Sequence, residues 1–214
     1  MRNLIFCCLL LTLAAGELRC QTEESQATTS SEGIQKSWNE FGVWGDISFN
    51  SPTRFGRTHN AVFGEVGLRY GRVFAASESV AFEWTIDVVP LAILSNDRFT
   101  RVPTGTGVQN MRKSVHGAGL SPIGVKFNFR RQHRVQPFGG VTGGFLYFRD
   151  DVPTAGARPL KFTADFSGGI QIINGSRRAF TIGYKYKHLS NGSRSPVNPN
   201  VDVQMVYAGF SMFR

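Results

Sequence analysis

Near its C-terminus the chain reads Tyr184-Lys-Tyr-Lys-His188-Leu-Ser190-Asn191-Gly192, a histidine and a serine two residues apart. On an extended strand, residues i and i+2 face the same side, with Cβ atoms roughly 6–7 Å apart. That is within reach of a His–Ser hydrogen bond, the unit of a base-activated nucleophile. Asn198 and Asp202 follow a short way downstream. A carboxylate at Asp202 could hold the imidazole in one tautomer and stabilise its cation. Asn198, Asn191 and backbone amides near Gly192 could donate to a developing oxyanion. Such a set performs acyl transfer and asks for no cofactor and no metal. On spacing alone the reading stays open, because His-x-Ser also arises by chance and a histidine at a membrane interface often serves only the headgroup layer.

The elements that must carry these residues are strands. In Ala179 to Ser190, Phe180, Ile182, Tyr184 and Tyr186 alternate with Thr181, Gly183, Lys185 and Lys187. The same period of two runs through Phe41–Asn50, Val80–Val88 and Lys161–Ile172, and more weakly through residues 60–72, 115–130, 134–148 and 201–213. The total is about eight strands of roughly ten residues or more, an even number that suits an antiparallel transmembrane β-barrel. One face of these strands is apolar and aromatic. The other holds Glu65, Arg69, Glu83, Asp87, Lys126, Lys161, Asp165, Lys185 and Lys187. A Lys or Arg facing lipid at mid-bilayer costs about 2–4 kcal/mol, so the charged face is expected in the lumen and the apolar face outside. His188 and Ser190 share parity with Tyr184 and Tyr186 and therefore belong to the outer wall. Turns near 75–79, 131–134 and 174–177 are short, whereas connections near 51–58, 94–113, 149–159 and 191–200 are long. Short periplasmic turns alternating with long external loops put the end of the seventh strand at the outer rim. A soluble barrel or sandwich, with the apolar face turned inward, is the alternative.

Composition agrees with an exported membrane protein. Arg2 followed by the apolar run Leu4–Leu13 and by Ala14, Ala15 and Gly16 reads as a signal peptide over residues 1–20. A lipoprotein carrying its lipid on Cys20 is the competing reading of that segment. All three cysteines, Cys7, Cys8 and Cys20, fall at or before the processing point, so no disulfide framework is expected. Residues 21–37 are polar and rich in Ser and Thr, the texture of a flexible linker, and the barrel is expected over 38–214. The net charge is +9 and the pI near 9.9. Export argues against nucleic acid as the partner and leaves anionic lipid. A mean hydropathy of −0.15 is compatible with a barrel, since only alternate residues meet lipid.

The segments His188-Leu-Ser190-Asn191 and Asn198-Pro-Asn-Val-Asp202 resemble the lipid A 3-O-deacylase (PagL) family, also labelled acyloxyacyl hydrolase. The resemblance implies an eight-stranded outer-membrane barrel that hydrolyses an ester-linked acyl chain of lipid A. It implies Ser190 as nucleophile, His188 as base, Asp202 as the third member of the triad, and Asn198 in the oxyanion hole with backbone near Gly192 or Ser193. Asp202 stands where the family usually has Glu, one methylene longer. The resemblance is specific over 184–213 and architectural before that. Lipid A and outer-membrane lipids are then the expected partners.

Two other functions remain in view, a non-catalytic barrel (an adhesin or structural protein) and a phospholipase acting in the same leaflet. External Arg54, Arg57, Arg98, Arg101, Arg112, Lys113, Arg158 and Arg194 could clamp lipid A phosphates or simply favour anionic headgroups. Trp38, Trp44, Tyr70 and Tyr147 are expected in aromatic girdles. In a regular last strand Asp202 and Phe213 fall on opposite faces, which leaves that strand's register open to a bulge.

Overall fold

A computed structural model describes residues 33–101 and 108–214. The expected signal peptide, its three cysteines and most of the linker lie outside the described residues. The strands are β1 (Asn39–Asn50), β2 (Val62–Ala76), β3 (Val80–Arg101), β4 (Val108–Phe129), β5 (Val135–Phe148), β6 (Leu160–Ile173), β7 (Arg178–Ser190) and β8 (Val201–Phe213). Each pairs antiparallel with the next, and β8 pairs with β1 to close an eight-stranded barrel. Closure gives every ladder group a partner and leaves no edge, the condition for crossing hydrocarbon with strands.

The two faces sort as the alternation requires. Phe41, Val43, Val66, Leu68, Ile170, Ile182, Val206 and Phe210 point outward and stay exposed. The lumen is packed with paired charges. Arg69 grips Asp87 through two nitrogens at 2.8 Å. Lys126 reaches Glu40 at 3.0 Å and Glu83 at 3.5 Å. Lys185 meets Asp46, and Lys187 meets Glu65 at 2.7 Å and Asp165 at 3.1 Å. A soluble barrel would invert this arrangement, so the apolar surface outside must face lipid. Ile182→Arg, which puts a cation on that outer surface, is expected to destabilise the barrel by about 2–4 kcal/mol in urea unfolding from liposomes.

Trp44 departs from the girdle expectation. It faces the lumen opposite Gly67, where any Cβ would lie 2.3 Å from the indole. Its Nε1 donates to Asp87 and the Lys185 ammonium sits 3.8 Å from its ring. Trp38 is also buried. With Ile34, Val73, Ala81, Ile173, Ala179 and Phe213 it forms an apolar floor at the end where the chain enters the barrel. Residues 33–37, read above as the end of the linker, contribute to that floor through fully buried Ile34, whose amide donates to the Arg131 carbonyl. Tyr70 and Tyr147 do lie on outward-facing positions, the Tyr70 ring tilted against Phe41 with centroids 5.4 Å apart.

The connection expected as a loop over 94–113 is largely strand. Asn96 pairs with Lys113 and Asp97 with Arg112, carrying β3 and β4 well beyond the apolar belt. Outside the membrane both faces of a hairpin can be polar, so no period of two marks it in the sequence.

Candidate active site

β7 and β8 pair without a register shift from Arg178–Met212 to Leu189–Val201. In that register His188 stands directly opposite Asp202, while on the other side Ser190 stands opposite Phe162 of β6. No bulge is needed. Even-numbered residues of β8 face out with Val206 and Phe210, and Phe213 faces the floor. Directly opposed side chains have Cβ atoms about 4.5–5.5 Å apart, so an aspartate reaches the imidazole across the ladder. His188 Nδ1 lies 2.6 Å from Asp202 Oδ1. The carboxylate partner assigns the proton to Nδ1 and leaves the Nε2 lone pair available as a base.

Asp202 belongs to the outer wall, yet its side chain is 0 % exposed. The cover is the first external loop. Asp202 Oδ2 accepts the backbone N–H of Phe55 at 2.7 Å and of Gly56 at 2.9 Å. Ser51 Oγ bonds to the Asp202 carbonyl, Thr58 Oγ1 donates to the Asn200 carbonyl, and the Arg57 amide donates to the Pro199 carbonyl. Both carboxylate oxygens are thereby satisfied, which removes the cost of a buried charge without partners. The Phe55 ring is 72 % exposed and meets His188 edge-on, centroids 6.2 Å apart.

Ser190 lies two residues beyond His188 on the same face, partly exposed. Its Oγ accepts the Gly192 amide at 3.0 Å. Gly192 adopts φ +63°, in the left-handed region that favours glycine, and a Cβ there would strike the Phe162 ring at 2.9 Å. Gly192, expected among the oxyanion donors, therefore directs its amide to the serine oxygen in this form and fixes that side chain's rotamer. Asn198 Oδ1 accepts the Asn191 amide at 3.2 Å, which orients the Asn198 side chain and leaves its NH₂ to donate elsewhere. Asn191 is buried, and its own NH₂ bonds to the carbonyls of Ala157 and Val197. It ties the end of β7 to two external loops. The Arg194 guanidinium sits 5.0 Å from the Phe162 ring beside this group.

Sequence reasoning placed His188 and Ser190 on one wall, left the face of Asp202 open, and missed the loop that covers the acid. The one available signal was Phe55, a lone large aromatic in the polar run Ser51-Pro-Thr-Arg-Phe-Gly-Arg-Thr58. Phe162 was visible as an outward residue of β6 but not as the ring against which Gly192 turns.

The sequence model described as lipid A 3-O-deacylase (PagL) matches residues 45–211. No curated protein matches the chain. Among solved structures, the outer membrane enzyme PagL superposes with a TM-score of 0.57 at 12 % identity, covering 78 % of this chain and 97 % of that one. The outer membrane protein OprG from Pseudomonas aeruginosa gives 0.45 at 11 % identity, covering 85 % and 98 %. Neisserial surface protein A gives 0.45 at 11 % identity, covering 82 % and 96 %.

Proposed function

The chain belongs to the lipid A 3-O-deacylase family, and from that premise we propose that it is an outer-membrane serine esterase that removes an ester-linked acyl chain from lipid A. The observation that carries the reading is the 2.6 Å contact between His188 Nδ1 and Asp202, with Ser190 on the same lipid-facing wall. A polar pair facing hydrocarbon is costly unless it is satisfied or used. In the proposed reading the pair stands at the outer rim, level with the leaflet in which an acylated, phosphorylated sugar lipid would lie.

In the proposed mechanism, Ser190 Oγ attacks the ester carbonyl and His188 Nε2 takes its proton. Asp202 stabilises the imidazolium and keeps the ring in register. The tetrahedral oxyanion is received by the Asn198 NH₂, whose geometry is supported by the Asn191 amide on its oxygen. His188 then gives that proton to the sugar oxygen as the carbon–oxygen bond breaks, so the sugar leaves as an alcohol. Water attacks the acyl-serine and passes its proton to His188, which returns it to Ser190 Oγ as the fatty acid is released. The family's description points to the 3-position ester. Because the scissile bond lies near the headgroup, the substrate's chains stay in the membrane while its carbonyl meets Ser190. Arg194, 5.0 Å from the Phe162 ring, is suited to a phosphate of the same molecule.

Purified protein in liposomes given lipid A and glycerophospholipid side by side is expected to release fatty acid from lipid A alone. Release from glycerophospholipid alone would make it a phospholipase, and release from neither would return it to the non-catalytic barrels.

A further inference from the structure

The carboxylate of Asp202 makes three bonds, of 2.6, 2.7 and 2.9 Å, and only the first is to the triad. The other two come from backbone amides of a loop distant in sequence. That loop is bound to the start of β8 by the Ser51, Arg57 and Thr58 contacts with residues 199–202, so acid and cover are held as one unit. Gly56 packs against the backbone of β8 and the residues before it. A Cβ there would lie 2.9 Å from Asp202 N and 3.2 Å from Asn200 O, backbone atoms that have nowhere to go. The carboxylate thus sits between an imidazole on one side and two N–H groups on the other.

We propose that the Ser51–Thr58 loop is a positioning element of the catalytic acid, its Phe55 and Gly56 amides fixing the carboxylate at the reach of an aspartate. The proposal rests on the esterase reading above and extends it. It accounts for the departure at Asp202: a Glu carries its carboxylate about 1.5 Å farther along one more carbon–carbon bond, into amides already at hydrogen-bonding distance. The loop acts through Asp202, holding the His188 tautomer and ring plane against a wall that otherwise offers lipid. The Phe55 ring edge on His188 closes the same unit from outside.

The test uses the full-length protein folded into liposomes, with insertion verified by the heat-dependent gel mobility of folded barrels. Gly56→Ala is expected to lower kcat for lipid A deacylation about 100-fold, the cost of a misplacement near 1 Å, with KM changed less than about twofold. In the same variant the ¹⁵N spectrum of His188 is expected to lose the single Nδ1–H tautomer of the wild type. Should Gly56→Ala fail to insert, Ser51→Ala combined with Thr58→Val loosens the loop without adding an atom at the contact and is read the same way. Asp202→Glu, with the loop intact, is expected to fall below wild type about 10-fold or more. A loosened loop with wild-type kcat and an unchanged His188 spectrum would overturn the proposal, as would Asp202→Glu equal to or above wild type. An inactive wild type would sink the esterase reading instead, and the His188 spectra would still decide whether the loop positions the acid.

Discussion

Ser190→Ala is expected to lower kcat for lipid A deacylation by roughly 10⁶-fold while leaving the barrel folded and inserted. The magnitude follows from removing the proposed nucleophile of a unit in which serine and base would act together. His188→Ala is expected to lose a comparable amount, since without its base the hydroxyl is a weak nucleophile at neutral pH. The informative measurement is the double variant. If the two residues work as one unit, combining the substitutions costs no more than either alone, and initial rates of fatty acid release for the three variants coincide. Losses that multiplied would mean that the two side chains contribute separately, and the shared mechanism would be wrong. Neither substitution touches the lumen: Ser190 and His188 are on the outer wall, and their odd-numbered neighbours Lys187 and Leu189 carry the packing inside. Unfolding midpoints should therefore stay close to wild type, which separates loss of chemistry from loss of fold.

The second large effect lies on that inner face. Lys187→Ala leaves Glu65 and Asp165 facing each other across the lumen without the ammonium that bridges them at 2.7 and 3.1 Å. Breaking a buried pair strands its partners' charge in a poorly solvated interior, a penalty of about 3–5 kcal/mol. Urea unfolding from liposomes is expected to show a loss of that size. Removing the stranded charges as well, with Lys187→Met, Glu65→Gln and Asp165→Asn together, is expected to recover most of it, because a buried network is worth little against a neutral packing of similar volume. Lys185, at 3.4 Å from Glu65, would lose one of its two partners in that variant and keep Asp46. A single variant as stable as wild type would mean that water fills the lumen well enough to solvate the acids. Because Lys187 is adjacent to His188 on β7, the same anchor steadies the strand that carries the base.

The barrel was legible in the sequence because two solvents, lipid outside and a narrow charged lumen inside, impose a strict period of two over the membrane-crossing part of each strand. The same parity identified His188 and Ser190 as wall residues, and cross-strand pairing sets Asp202 opposite His188. Where only one solvent acts, the period vanishes. The polar extensions of β3 and β4 read as a loop for this reason, although Asn96–Lys113 and Asp97–Arg112 are regular ladder pairs. Trp44 was drawn toward the girdle by its residue type, but strand parity and the space above Gly67 place it inside. The cover over Asp202 was missed for a different reason. It is made by main-chain amides of Phe55 and Gly56, which carry no side-chain signature, across a separation in sequence that no local pattern spans.

The outer wall of a barrel is ordinarily passive surface; here it presents a histidine held by a covered acid, with a serine beside it. The most direct test is the mass of lipid A extracted from outer membranes containing either the wild-type protein or Ser190→Ala, with insertion of both verified. The account predicts lipid A lighter by one ester-linked acyl chain in the wild type alone. Identical, fully acylated lipid A from both, with the wild type correctly inserted, would contradict it.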